Sequence, residues 1–417
     1  MRVALVNMKD TFLDHAGDRP YLGNLYLAGY MREHVPEAEI KIFDLNHDDP
    51  INIVDYLPDM VGIGFTTPHY SQVKETLEFL KSRMPIVHYV AGGAHPTAVN
   101  YREVLDMGFD QVVQGEGEEA LRKILEGDNS PVLREPYIEN IDSIPMPAWD
   151  MIDMDRYGMD WDGNRAMTLF SSRGCPMNCG YCSKDIWGRS FRGHSPDRIA
   201  QEMDHLYLKY NIGNFYFYDD TFTIDEDRIR GFLDKMRTRG NLYNWKIITR
   251  ADRVNKDLLK DMYMGGCKEV SFGIEHADDE SLMAINKGMT VQQNIDAVGW
   301  AKDVGITVKG FFMVGLPYDT PQKIRDTVQL AKDLNLEHAL FSNMMPYPGT
   351  AMHTHPEKFG LRMLDKGYDK WLHYAGYNTK DWPTSVVDIG TMTPKEVEDM
   401  SVWAKEEWNK WKSQSAT

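Results

Sequence analysis

The chain has 417 residues, 42% hydrophobic and 26% charged, the composition of a soluble globular protein with room for two or three domains. Its formal net charge of −17 argues against a nucleic acid as the main partner, because phosphate binding wants a basic surface. No apolar run approaches the roughly 20 residues that span a bilayer, and the start at Met1-Arg2-Val3-Ala4 carries no apolar signal segment.

The first third alternates short apolar strands with amphipathic helices. Residues 2–7 read as a strand, and Leu22, Leu25, Tyr26 and Gly29 then recur at a helical period. Strands follow at 40–44, 60–65, 87–93 and 111–115, with Val73, Leu77, Leu80 and Met84 marking a helix face between them. This alternation predicts an α/β fold that opens with a doubly wound, Rossmann-like parallel sheet over residues 1–127. From 128 to 165, Pro131, Pro136, Pro145 and Pro147 hold the chain extended, which predicts a linker draped over a surface.

A second series occupies residues 166–350. Apolar strands at 167–170, 214–218, 245–249, 269–274, 308–314 and 340–343 are spaced widely enough for a crossover helix each. They predict a partial (β/α)6 barrel, open relative to the eight-unit closed form. Residues 351–417 read as a helical extension, in which Thr393-Pro394-Lys395-Glu396 is a capping box with proline at the first helical position.

Cys175, Cys179 and Cys182 form a Cys-x3-Cys-x2-Cys run just after the first barrel strand. Disulfides belong to an even set in a short secreted chain, and structural zinc needs a fourth ligand, for which His194 is the nearest. Three thiolates at this spacing suit three irons of a 4Fe–4S cluster, leaving the fourth iron open to chelate S-adenosylmethionine through its amino and carboxylate groups. Cys267 stands apart and reads as a buried structural thiol. A labile cluster needs reducing surroundings, so the expected location is cytoplasmic.

Ligands collect at the carboxyl ends of parallel strands, and polar residues stand at those ends here. Asp219 and Asp220 suit a ligand ammonium, Arg250 a carboxylate and Glu275 ribose hydroxyls. Gly310 and Gly315 would let a flat purine approach the backbone.

Residues 172–350 resemble the radical S-adenosylmethionine superfamily, and the whole chain resembles its branch with an N-terminal cobalamin-binding domain. The likeness rests on Arg173-Gly174-Cys175-Pro176 with the cysteine triplet, Tyr218-Asp219-Asp220-Thr221, Arg250-Ala251-Asp252, Phe272-Gly273-Ile274-Glu275, Lys287-Gly288, Gly315-Leu316-Pro317 and Pro346-Tyr347-Pro348-Gly349-Thr350. N-terminally it rests on Gly92-Gly93-Ala94-His95-Pro96-Thr97 and Gly115-Glu116-Gly117-Glu118. The resemblance implies that Tyr181 lies near the adenine and that Asp219 or Asp220 faces the methionyl amine. It makes Arg250 and Glu275 the carboxylate and ribose contacts, and sets Gly315 beside the adenine. Leu22-Gly23, Thr66-Thr67, Gly92-Gly93, His95 and Gly115-Glu116-Gly117 become cobalamin contacts.

None of the 13 histidines has an aspartate two positions before it, so the Asp-x-His-x-x-Gly motif is absent. The lower face of cobalt should then lack a histidine from that motif. The implied activity is C-methylation of an unactivated carbon of a small molecule, through a 5′-deoxyadenosyl radical and methylcobalamin, with flavodoxin or ferredoxin as electron donor. The alternatives are a cobalamin-dependent cyclase, oxidative or ring-rearranging enzyme, or a radical enzyme whose N-terminal domain has lost cobalamin; a non-catalytic iron–sulfur binding or electron-transfer protein is disfavoured, because electron carriers normally use four protein ligands. In the tail, His353, His355, Trp371, His373, Tyr374, Tyr377 and Trp382 are candidates to roof a pocket.

Overall fold

Val3 and Leu5 point into one core and Ala4 and Val6 into another, so the first strand is buried on both faces and reads as a continuous apolar run. It is the second strand of a six-stranded parallel sheet: β1 (Arg2–Asn7), β2 (Glu39–Asp44), β3 (Met60–Gly64), β4 (His88–Gly92), β5 (Gln111–Val113) and β6 (Val132–Leu133), in the order β2-β1-β3-β4-β5-β6. In this computed structural model the described residues are all but 12–16, 162, 241, 365–366, 369–370, 372–384 and 416–417. His373, Tyr374, Tyr377 and Trp382 therefore lie outside the described residues.

Strand β6 comes from the stretch expected to be linker. The amides of Val112 and Gln114 would otherwise face an open edge, and they donate to the carbonyls of Pro131 (3.0 Å) and Leu133 (2.9 Å). Proline is tolerated there because only its carbonyl is used. The rest of the stretch crosses the helix Leu22–His34 at Gly29, where a Cβ would stand 2.3 Å from the Met146 carbonyl oxygen. Ala148 donates to the Leu25 carbonyl (3.0 Å), and Trp149 is fully buried beneath.

The second sheet holds β7 (Met159–Trp161), β8 (Asn164–Leu169), β11 (Asn214–Phe217), β12 (Asn244–Thr249), β13 (Cys267–Glu275), β14 (Thr307–Val314) and β15 (His338–Asn343); the short β9 (Ser172–Arg173) and β10 (Arg192–Gly193) pair separately. Its order is β15-β14-β13-β12-β11-β8-β7. The six strands expected for the open barrel are all parallel, and β7 adds an antiparallel edge beside β8. One core runs from a face of the first sheet through Ile144 and Trp149 into the barrel, so the two sheets are fused by packing. The helix Pro394–Ser415 starts where Thr393 and Glu396 exchange bonds, and it lays Val397, Ala404 and Trp408 on the barrel. Cys267 is buried in that core, and burial pushes its thiol pKa well up.

Candidate functional site

The antiparallel pair β9–β10 closes a loop of residues 174–191 that carries the three cysteines. Gly174 turns the chain with φ +81°, and a Cβ there would stand 2.2 Å from the Ser190 carbonyl oxygen. Gly180 pins the far side, donating to the Ile285 carbonyl (2.8 Å) and accepting from the Met352 amide (3.0 Å). Cys175 is buried with its sulfur 3.5 Å from the Thr221 hydroxyl, while Cys179 and Cys182 are partly open. All three thiols are free. His194 has Nδ1 on Asp142 (2.9 Å), which holds the Asp142 carboxyl well below its ordinary range.

Asp219 is 1% exposed, and its carboxylate accepts from the Ser171 amide (2.7 Å) and the hydroxyls of Ser171 (2.5 Å) and Ser172 (2.6 Å). This corrects the expectation that either aspartate could face a ligand: Asp219 instead locks the strand that enters the cysteine loop. Asp220, the next residue, opens to a cleft of about 340 Å³. The walls of the cleft desolvate it and push its carboxyl pKa up, with Lys184 opposing the shift.

Glu275 ends β13 at φ +68°. Its Oε1 accepts from the Tyr181 hydroxyl (2.9 Å) and Lys287 Nζ (2.7 Å), and Nζ also lies 3.0 Å from the Tyr181 oxygen. A side chain at Gly273 would fill this space, since its Cβ would be 2.5 Å from Glu275 Oε1 and 2.9 Å from Lys287 Nζ. Lys287 was legible only as part of a Lys-Gly motif with no assigned role. Burial, followed by the charge of Glu275, pushes the Tyr181 phenol well above its ordinary pKa. Arg250, expected to clamp a carboxylate, is already bound to Asp252 through Nε (2.8 Å) and Nη2 (2.9 Å). Gly315 and Gly310, expected beside a purine, are packed on the side where a side chain would stand. A Cβ at Gly315 would meet Val397 at 2.6 Å, and one at Gly310 would meet Leu336 at 2.7 Å.

The first sheet contributes the other wall of the cleft. Thr66, Thr67, Pro68 and Ala94, at the carboxyl ends of β3 and β4, face Lys184, Trp187, Asp220 and Tyr347 of the barrel. Beside them Gly64 has open space where a Cβ would be, and Gly92 meets nothing closer than 3.9 Å. Gly93 serves a tight turn at φ +94°, where a Cβ would be 2.8 Å from the Phe65 nitrogen. His95 is 1% exposed, bonded through Nδ1 to the Thr67 hydroxyl (3.0 Å) and boxed by Phe65, Tyr70 and Tyr368. Burial lowers its pKa to about 4. From the tail, Trp371 sits 5.8 Å from both Tyr368 and His353 and 6.1 Å from Tyr347, so these rings run from His95 to the cleft wall.

The remaining N-terminal positions differ in their surroundings. Leu22 is buried in the core, Gly23 is exposed on the first helical turn, and Gly117 packs on Leu27. Gly115 donates to the Thr97 hydroxyl (3.0 Å) at φ +89°. Glu116, expected at a ligand, is instead buried in ion pairs with Arg173 (3.0 Å) and Arg192 (2.9 Å), and Glu118 joins Arg173 at 2.6 Å. The Glu116 charge is matched by both arginines, which flank the cysteine loop.

Fold and site together define a class in which a parallel sheet faces, across one cleft, an open barrel whose loop holds three free thiols. Residues 169–331 match the radical SAM superfamily and residues 9–125 the B12 binding domain. An uncharacterized methyltransferase of Pyrococcus horikoshii is 34% identical over 360 residues, 80% of this chain and 77% of that protein. An anaerobic magnesium-protoporphyrin IX monomethyl ester cyclase of Rubrivivax gelatinosus is 28% identical over 80% of this chain, which spans 65% of that protein. The structure of the radical S-adenosylmethionine methyltransferase TsrM from Kitasatospora setae, with cobalamin and a 4Fe–4S cluster bound, superposes with a TM-score of 0.72 at 16% identity, covering 98% of this chain and 88% of that one. The cobalamin-dependent radical enzyme OxsB superposes at 0.67 and 19% identity, over 89% of this chain and 56% of that one. The chain belongs to the radical S-adenosylmethionine superfamily and carries a B12 binding domain before its barrel.

That membership implies a 4Fe–4S cluster, S-adenosylmethionine and cobalamin. The residues fit them. Three free thiols sit in a loop that Gly174 and Gly180 hold shut, and thiolate is the ligand class of iron–sulfur clusters. Cys175, Cys179 and Cys182 together would give three irons of such a cluster one thiolate each. The bare glycine edge at Gly64 and Gly92 leaves a cradle for a large planar group.

Proposed function

We propose that this enzyme is a C-methyltransferase acting on an unactivated carbon of a small molecule. One observation carries the reading: the carboxyl ends of β3 and β4 and the cysteine loop of the barrel face each other across a single cleft. When bound, the cluster with S-adenosylmethionine supplies a hydrogen-abstracting radical and cobalamin supplies the methyl group.

The chain's own residues bind, orient and exclude water. Cys175, Cys179 and Cys182 would hold the cluster. Asp220, the aspartate open to the cleft, would take the methionyl ammonium, and Glu275 with Tyr181 and Lys287 the ribose and adenine. Thr66, Thr67 and the Gly64 and Gly92 edge would carry cobalamin. Trp187 and Tyr347 wall the cleft, with Tyr368 and Trp371 behind them, and keep water from the reacting centre. The electron comes from an external carrier such as flavodoxin or ferredoxin. We place the enzyme in the cytoplasm, where thiols stay reduced. Among the described residues no helix is long and apolar enough to cross a membrane.

A second reading, a cobalamin-dependent cyclase, is favoured by the relatives of that name from Rubrivivax gelatinosus and Cereibacter sphaeroides at 28% and 29% identity. The test needs no substrate. The full chain, reconstituted anaerobically with iron, sulfide and reduced cobalamin, is given S-adenosylmethionine carrying a deuterated methyl group. Methylation predicts S-adenosylhomocysteine and deuterated methylcobalamin by mass spectrometry. Bound cobalamin without either product favours the cyclase, and a chain that retains no cobalamin refutes both.

A further inference from the structure

We infer that Arg250 donates a hydrogen bond to the cluster thiolate of Cys179 and raises the cluster's reduction potential, instead of clamping the carboxylate of S-adenosylmethionine. The inference rests on the proposed cluster site. A guanidinium has five N–H donors in a fixed planar fork, and a bidentate carboxylate needs two of them along one edge. The Nε/Nη2 edge of Arg250 is taken by Asp252 at 2.8 and 2.9 Å. The second Nη2 hydrogen goes to the Lys287 carbonyl at 2.8 Å. No edge remains for a second carboxylate. Nη1 lies 3.3 Å from the Cys179 sulfur.

The side chain is also held there. Arg250 is 5% exposed, at the carboxyl end of β12. Lys287 contributes twice, its carbonyl holding Arg250 and its ammonium holding Glu275 and Tyr181. Sequence position alone gives no hint of this, because Arg250 and Cys179 are 71 residues apart.

The direction of the effect follows from charge. One electron entering the cluster from the external carrier makes it more negative, and a cationic donor on one thiolate stabilises that state. Hydrogen bonds to cluster sulfurs and nearby charge are among the terms that set such potentials. Asp252 acts as a positioning residue by fixing the fork.

The test is a redox titration of the reconstituted full chain, followed by electron paramagnetic resonance without S-adenosylmethionine. Arg250→Gln should lower the reduction equilibrium at least about ten-fold, which is about 59 mV for one electron. Arg250→Lys, which keeps the charge, should recover part of that shift, and S-adenosylmethionine affinity should change little. A variant with normal iron content, unchanged potential and ten-fold weaker S-adenosylmethionine binding would overturn the inference and restore the carboxylate clamp. If Arg250→Gln does not hold a cluster, the unsubstituted protein decides. Grown with nitrogen-15 arginine and reduced, it should show hyperfine coupling from one guanidinium nitrogen, and absence of that coupling overturns the inference. An unsubstituted chain that takes up no cluster overturns the functional reading beneath it.

Discussion

Glu116, on the loop after β5, and Arg192, on the hairpin that closes the cysteine loop, meet at 2.9 Å with side chains 2% and 4% exposed. Arg173 adds a third charge from the other hairpin strand at 3.0 Å. The first sheet is thus fastened directly to the base of the loop that carries the thiols. Charges this deep are expensive to leave unmatched. Glu116→Gln should cost about 3–5 kcal/mol in urea denaturation of the apo chain, as for other broken buried pairs. A cost below about 1 kcal/mol, the range of exposed pairs, would mean that water already reaches the cluster of charges.

Two neighbouring aspartates should behave as opposites. Asp219→Asn weakens three hydrogen bonds beneath β9 and should cost about 1–3 kcal/mol of stability with little effect on S-adenosylmethionine affinity. Asp220→Asn should stay within about 0.5 kcal/mol of the original stability and weaken binding. Denaturation curves and calorimetric titration of the cluster-loaded chain separate the two, and the reverse pattern would reassign the ammonium contact.

His95 predicts an acid-sensitive fold. Its folded-state pKa of about 4 lies below the unfolded value of about 6.5, so the unfolded chain binds the proton first as pH falls. Stability is full above about pH 6.5, is lost between about 6.5 and 4, and levels off below, a total of about 3 kcal/mol from this group. His95→Gln should flatten that slope relative to the unsubstituted chain. Parallel slopes in urea titrations across the window would show that His95 is not its source.

Gly174→Ala should disturb the site without touching a thiol. The new methyl would collide with the Ser190 carbonyl at φ +81°, costing about 1–3 kcal/mol and reducing iron uptake as the loop opens. Cys267→Ala is the control: it removes a methyl-sized group from the core, costs about 1 kcal/mol and keeps full iron content. Iron analysis after reconstitution reads both.

The parallel strands were legible because two-sided burial writes them as apolar runs, and the cysteines because a loop keeps its ligands close in sequence. Other features were hidden by long-range packing. Asp219 and Asp220 look alike in the chain, yet one is turned under the strand towards Ser171 and the other into the cleft. Gly315 looked open because Val397, which fills its space, is 82 residues later. The network of Tyr181, Glu275 and Lys287 joins residues up to 106 positions apart, and no local pattern marks it.

The sequence by itself determined the alternation of strands and helices, the open barrel and the three-thiol loop, since these depend on periodicity and short spacings. The tertiary structure alone decided which polar groups remain available to a ligand. That depends on which donors and acceptors meet first in space: Glu116 is spent on Arg173 and Arg192, and Asp219 on two serines, while Asp220 stays open to the cleft.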